Sequence, residues 1–240
     1  MRVIAAIPAR YAASRFPGKL LADLCGKPVI QHTYEKVQKS GLFNSVIIAT
    51  DSSEIESVVL DFGGDVVRSK KDHQCGSDRI AEAVFNLDVD IVINVQGDEP
   101  FINPEGLASL IEVFKSDVKK EIDLASLMTP ISVGINNPNV VKVITDLSSR
   151  ALYFSRSAIP HHRLKRTNAT VYKHVGVYAF RKSALIDFYE NSPTPLELAE
   201  QIEAIRYLEM GKTIQMVKTK FDGVGIDIPE DLERAKKLMS

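Results

Sequence analysis

Arg10, Arg15 and Lys19 place three permanent cations within ten residues, directly behind the apolar run Val3-Ile4-Ala5-Ala6-Ile7. A buried parallel strand presents its ligand-binding loop at its carboxyl end, which puts these cations where open α/β sheets bind ligands. Several fixed positive charges in one loop match a polyphosphate, whose charge no single cation offsets. A solvated basic loop is the alternative, and the Pro8, Pro17 and Gly18 set among the cations argue against it. The glycine-built nucleotide signatures are missing: Ala13 and Leu20 stand where a P-loop needs Gly and Ser or Thr. Phosphate is therefore expected to be gripped by side chains, with backbone N–H groups near Arg10 helping.

The opposite charge comes from Val95-Gln96-Gly97-Asp98-Glu99-Pro100, behind a second buried run, Ile91 to Val95. Asp98 reads either as a cap for the next turn or as a ligand for Mg²⁺ on nucleotide phosphates. Magnesium suits the second reading, because it takes few protein carboxylates and fills its shell with water and phosphate oxygens. Asp227, between Ile226 and Ile228-Pro229, is a further candidate carboxylate, while Glu230 and Asp231 behind it suit a helix N-terminal dipole. Neutral and cationic donors collect in three other stretches. They are His73 to Arg79, with Gln74 and Arg79; Tyr153 to Arg163, with Arg156 and Arg163; and Tyr172 to Tyr178, with His174. A surplus of arginine suits a second anionic ligand, a carboxylate above all, which arginine binds with two parallel hydrogen bonds. For His174 a structural and a ligand-contacting role both stay open. No nucleophile elbow or catalytic-triad order is present, so covalent catalysis is not expected.

The elements that must hold these groups alternate in the first half. Helices are expected over Pro28 to Ser40, Ser53 to Phe62 (capped by Ser52 or Ser53) and Ser77 to Asn86, with strands over Ser45 to Thr50, Asp65 to Arg68 and Ile91 to Val95. Asn103-Pro104-Glu105 starts another helix. This alternation predicts a doubly wound, mostly parallel α/β sheet. Later strands over Leu124 to Thr129, Val140 to Thr145, Ala151 to Ser155 and Val171 to Phe180 are separated by short turns and predict hairpins in a mixed sheet. Thr194-Pro195-Leu196-Glu197 is a capping box that opens one helix from Pro195 to Met210, with Leu196, Ala199, Ile202, Ile205 and Leu208 inward and Glu200, Glu203 and Arg206 on a solvated stripe. A last helix is expected over Leu232 to Met239. The whole, 1–240, reads as one domain with an inserted hairpin subregion at about 130–180.

Composition narrows the class of partner. With 240 residues, 45% hydrophobic and a net charge of −1, the chain lacks the basic footprint of a nucleic-acid or membrane-surface protein. No apolar run is long enough for a membrane span, and Met1-Arg2-Val3 enters a strand without the pattern of a signal peptide. Two cysteines without metal spacing fit a reducing cytoplasm, with Cys25 expected buried beside Leu24 and Cys75 neutral in its loop.

Residues 7–19 (Ile-Pro-Ala-Arg-Tyr-Ala-Ala-Ser-Arg-Phe-Pro-Gly-Lys), 49–51 (Ala-Thr-Asp), 73–79 (His-Gln-Cys-Gly-Ser-Asp-Arg), 94–100 (Asn-Val-Gln-Gly-Asp-Glu-Pro), 151–156 (Ala-Leu-Tyr-Phe-Ser-Arg) and 225–227 (Gly-Ile-Asp) together resemble the 3-deoxy-manno-octulosonate (KDO) cytidylyltransferases. The resemblance runs in order from end to end. It implies a Rossmann-like nucleotidyltransferase fold, transfer of CMP from CTP to the anomeric hydroxyl of an acidic eight-carbon sugar, Mg²⁺ as cofactor, a homodimer joined through the hairpin subregion, and a place in lipopolysaccharide synthesis. By similarity Arg10, Arg15, Lys19 and Gln74 hold the nucleotide, and Asp98 and Asp227 hold the metal. Arg79, Gln96, Arg156, Arg163, His174, Tyr178 and Glu203 map onto sugar-binding positions. Ala204 departs from the pattern, standing where the family carries an amide. It is expected to leave room there, so that Ala204→Gln is tolerated, and it makes a related acidic sugar the alternative substrate. Cys75 replaces a common serine.

Overall fold

All seven residues of β1 (Val3–Ala9) are buried, as befits an apolar run with a parallel neighbour on each side. The computed structural model describes residues 1–12, 15–71, 73, 75–164, 169–220 and 225–239. By its internal contacts the chain forms two compact units, Met1–Leu107 with Gly223–Ser240, and Ala108–Asp222.

In the first unit β1 leads through a single 3₁₀ turn (Lys19–Leu21) into a tight hairpin, β2 (Asp23–Leu24) and β3 (Lys27–Pro28), and then α1 (Val29–Lys39). β4 (Ser45–Thr50), α2 (Ser53–Asp61), β5 (Val66–Arg68), α3 (Gly76–Val84) and β6 (Ile91–Asn94) follow. The strand order is β6-β1-β4-β5 with every pair parallel, and the register sets Val3 beside Ile91 and Ala9 beside Thr50. Local signals act as expected: the Ser52 hydroxyl accepts the Ile55 N–H at 3.2 Å to start α2. Cys25 is a correction. It is exposed, because it sits in the left-handed region (φ 53°) at the tip of the β2–β3 hairpin, a place set by the turn and not by its apolar neighbours.

α4 (Pro104–Ser116) carries the chain from the first residue set into the second. There β7 (Leu124–Ile131) is followed by β8 (Lys142–Thr145), β9 (Ala151–Ser155), β10 (Val171–Arg181), α5 (Lys182–Glu190), α6 (Pro195–Glu200), α7 (Ala204–Glu209) and β11 (Ile214–Lys218). β7 pairs antiparallel with β10 and parallel with β11, while β8 and β9 form the expected hairpin, closed by Asp146 Oδ1 accepting the Ser148 and Arg150 N–H groups at 2.8 Å each. The hairpin subregion expected at about 130–180 falls inside this unit. Two residues of β10, Gly176 and Val177, bulge out of register between the pairs Val175–Leu127 and Tyr178–Ser126. α5 and β11 had no expected counterpart.

The single helix expected from Pro195 to Met210 is two helices. Gln201 adopts the left-handed region (φ 53°, ψ 50°) and ends α6. The Arg156 guanidinium takes the carbonyls of Glu200 at 2.6 Å and Gln201 at 3.2 Å, satisfying that end. Polarity is also inverted along α6: Leu196 and Leu198 are exposed and Glu197 is buried. Arg206 explains the inversion. It is buried too, binds Glu197 through Nε (2.6 Å) and Nη2 (2.7 Å), and lies over the Phe188 ring at 3.6 Å. The capping glutamate, which accepts the Thr194 N–H at 3.1 Å, thus doubles as a core counter-ion.

α8 (Pro229–Met239) returns to the first unit and begins three residues earlier than expected. It seats Leu232 and Ala235 against Leu24, Val29 and Ile226, with Phe16, Ala22 and Phe101 around them. That cluster ties the cationic loop, the hairpin and the segment before α8 into one apolar base.

Candidate active site

Lys19 is the centre of the first unit's site. Its Nζ donates to Asp98 and, at 3.0 Å, to Asp227 Oδ1, while Arg15 Nη2 lies 3.1 Å from Asp227 Oδ2. The backbone explains why residues so far apart in sequence meet. β1 and β6 are parallel neighbours, so the loops after Ala9 and Asn94 leave the sheet side by side. Gly97 lets them approach, since a Cβ there would stand 2.9 Å from Ile30 Cδ1 and 3.3 Å from the Pro8 carbonyl oxygen. Thr33 donates to the Gly97 carbonyl at 3.0 Å, and the Ile226 N–H donates to the Asp98 carbonyl at 2.9 Å, which fixes Asp227 next to Asp98. Behind it Asp231 Oδ2 accepts the Asp227 and Ile228 N–H groups at 3.0 and 3.1 Å and caps the entry to α8.

The electrostatics follow from this packing. Burial works against the Lys19 ammonium, yet Asp98 and then Asp227 hold its pKa above the ordinary lysine value. Two carboxylates converging on one ammonium nitrogen are also a fair test of a metal site: the stand-in cation shows that both oxygens can serve a single positive centre. Two carboxylates are a set Mg²⁺ accepts when phosphate and water complete its shell. Among the described residues no cluster of three or more His, Cys, Asp or Glu is arranged to hold a metal.

The remaining candidates of this unit are placed as follows. Arg10 is exposed just beyond β1. Gln74 lies outside the described residues. Gln96 is half-buried behind β6, 3.5 Å from Asn94 Oδ1. Arg79 is only 3% exposed and is ion-paired with Asp51 at the end of β4, with its Nε unpartnered among the described residues. Asp51 escaped the reading of the sequence as a functional partner; the only signal was its place in Ala49-Thr50-Asp51 after a buried strand.

The second unit gathers another set. His174 and Tyr178 touch at 5.2 Å between ring centroids, although four residues apart on one strand, because the bulge shortens the path between them. Phe154 packs edge-on against His174 at 5.0 Å, and Phe180 stacks on Tyr178 at 5.7 Å. Burial, then the nearby Lys173, lowers the His174 pKa to about 3, so the ring is neutral at any physiological pH. Burial and then Glu203 push the Tyr178 phenol above its usual range. Arg156 spends its guanidinium on backbone, adding the Pro138 carbonyl at 2.9 Å to those of Glu200 and Gln201. Glu200 returns its carboxylate to Ser155 Oγ at 2.7 Å and the Arg156 N–H at 2.8 Å. Lys142, wholly buried, donates to the Asn137 carbonyl at 3.1 Å and the Val140 carbonyl at 2.6 Å. Arg163 is exposed, and Glu203 is half-buried at the start of α7. Ala204 is 1% exposed.

A parallel sheet that offers lysine, arginine and an aspartate behind the carboxyl ends of adjacent strands, with a second aspartate brought beside them from the segment before α8, is the architecture of an α/β nucleotidyl-transfer enzyme. A family model described as cytidylyltransferase matches residues 4–214. A 3-deoxy-manno-octulosonate cytidylyltransferase of Christiangramia forsetii is 59% identical over 100% of this chain and 97% of its own length; one of Flavobacterium johnsoniae is 54% identical over 100% and 99%. A solved CMP:2-keto-3-deoxy-manno-octonic acid synthetase complexed with CTP matches with a TM-score of 0.94 and 37% identity, over 100% of this chain and 98% of that one. A 4-diphosphocytidyl-2C-methyl-D-erythritol synthase from Anaerococcus prevotii shares the fold alone, at a TM-score of 0.65, 17% identity and coverage of 99% and 98%. The chain belongs to the cytidylyltransferase family and, within it, to the 3-deoxy-manno-octulosonate cytidylyltransferases.

Proposed function

We propose that this chain transfers CMP from CTP to the anomeric hydroxyl of KDO and releases pyrophosphate. The observation that carries the reading is the Arg15–Lys19–Asp98–Asp227 network at the carboxyl ends of β1 and β6. In the reaction the sugar hydroxyl oxygen bonds to the α-phosphorus, the bond from that phosphorus to the bridging oxygen breaks, and the hydroxyl proton is lost to solvent. Such an in-line displacement needs alignment and charge compensation more than a protein nucleophile. Arg10, Arg15 and Lys19 grip the triphosphate, with Gln74 on the nucleotide. Asp98 and Asp227 hold Mg²⁺, which when bound compensates phosphate charge. Arg79, Gln96, Arg156, Arg163, His174, Tyr178 and Glu203 serve the sugar, with Arg156 and Arg79 acting from the partners described above.

A second substrate reading rests on Ala204, which offers no amide at the position where the resemblance places one. Pyrophosphate release measured with CTP across a panel of acidic sugars separates the two. KDO is expected to lead, and a hundredfold preference in kcat/KM for another acid, about 2.7 kcal/mol, would replace it. We further place the enzyme in the cytoplasm, in lipopolysaccharide synthesis, as a homodimer. Among the described residues no helix is long and apolar enough to cross a membrane. Leu147 and Leu152 stand exposed on the β8–β9 hairpin, as an interface between copies would require. Sedimentation showing monomer alone at micromolar concentration would reject the dimer.

A further inference from the structure

His174 is the natural suspect for a cationic contact to an acidic sugar, but its surroundings assign it a different task. Ser126, fully buried on β7, has its Oγ 2.8 Å from His174 Nε2, 2.8 Å from the Val177 carbonyl oxygen and 3.3 Å from the Val175 carbonyl oxygen. A serine hydroxyl has one hydrogen and two lone pairs. Carbonyl oxygens only accept, and an oxygen–oxygen approach of 2.8 Å without a hydrogen between them is repulsive. The hydrogen of Ser126 therefore goes to the bulge, chiefly to Val177. What remains on Oγ is lone-pair density, and the imidazole nitrogen facing it must be the donor.

We infer that Ser126 is a positioning residue that locks His174 in its Nε2–H tautomer, leaving Nδ1 as a hydrogen-bond acceptor that reads a hydroxyl of the sugar and not its carboxylate. The bulge is part of the device. It turns the Val175 and Val177 carbonyls toward one hydroxyl and brings the Tyr178 ring against His174. Ser126 is the sole side-chain hydrogen-bond partner of His174 among the described residues, so Nδ1 is left without one. Burial keeps the ring from charging, which removes the attraction for a carboxylate and preserves the lone pair. Lys173 is the charged neighbour that acts on the ring, and it opposes protonation further.

The sugar contact rests on the function proposed above, whereas the tautomer does not, and the experiment separates them. Nitrogen-15 NMR of histidine-labelled enzyme is expected to show His174 neutral and protonated at Nε2 between pH 5 and 8. In Ser126→Ala the buried Nε2–H loses its acceptor, so the proton is expected to move to Nδ1. The KM for KDO then rises about tenfold, while the KM for CTP is unchanged. An Nδ1–H tautomer in the wild-type enzyme, or an Nε2–H tautomer retained in Ser126→Ala, overturns the assignment, as does an unchanged KM for KDO beside a shifted tautomer. His174→Ala tests the other half: a KM for KDO that stays at the wild-type value removes His174 from the sugar site whatever the NMR shows.

Discussion

The two polar centres of this chain are built on opposite principles. In the first unit, Arg15, Lys19, Asp98 and Asp227 keep their charges and neutralise one another at the mouth of a parallel sheet. In the second, His174 is stripped of charge by burial, Tyr178 is held protonated, and Arg156 is satisfied by carbonyls. A centre of mobile charges can exchange partners when a triphosphate arrives. A centre whose His174 and Tyr178 are uncharged and whose Arg156 is held by carbonyls is suited to reading shape and hydrogen-bond pattern. Charge placement and hydrogen-bond placement are thus divided between two regions, and each can be attacked separately.

The sharpest break is Asp98→Asn. Removing one carboxylate from the first centre should leave the fold nearly intact and lower kcat by at least about 10³-fold, about 4 kcal/mol of barrier. Steady-state pyrophosphate release at saturating Mg²⁺ measures it, and near-normal turnover would take Asp98 out of the metal shell. Arg206→Met acts the other way, on stability. It strands Glu197 in the core and is expected to cost roughly 3–4 kcal/mol in urea unfolding, most of it recovered when Glu197→Leu is added.

A smaller effect is expected from Ala204→Gln. With Ala204 at 1% exposure, the longer side chain must displace its neighbours, at about 1–3 kcal/mol of stability. A melting temperature equal to wild type would show that the site opens more readily than its packing implies. A test that needs no new contact is pH. His174 has a folded pKa of about 3 against an ordinary value of 6.5, so below pH 6.5 the unfolded chain binds a proton that the native state refuses. This group therefore makes stability fall as pH falls from about 6.5 toward 3, by up to about 1.4 kcal/mol per pH unit. His174→Gln removes that slope, so the gap between the two pH profiles of unfolding is the quantity to measure.

Legibility in the sequence divides along the same line. β1, β4 and β6 were visible as apolar runs, and parallel pairing alone brings the residues after Ala9 and Asn94 together, so Lys19 and Asp98 could be paired on paper. The second centre was far less visible because its partners are backbone atoms. Nothing in Arg156 announces that it will bind the carbonyls of Pro138, Glu200 and Gln201, and Ser126 is a small residue inside an apolar strand. The break at Gln201 was hidden for a related reason. Ile202 and Ile205 continue a helical period that α6 itself does not obey, since the packing of α6 is set by the Glu197–Arg206 pair.

One consequence of the Lys19 bridge concerns folding in the absence of metal. Two adjacent carboxylates at the end of a sheet would repel each other in the free protein, and many such sites depend on a divalent ion to hold together. Here the chain carries its own counter-ion, with Lys19 Nζ seated between Asp98 and Asp227. A chelator should consequently leave the melting temperature of the wild-type protein where it was. Lys19→Met would turn that around: the orphaned carboxylates would then favour the native state only with Mg²⁺ bound, and the melting temperature would climb with metal concentration as mass action requires.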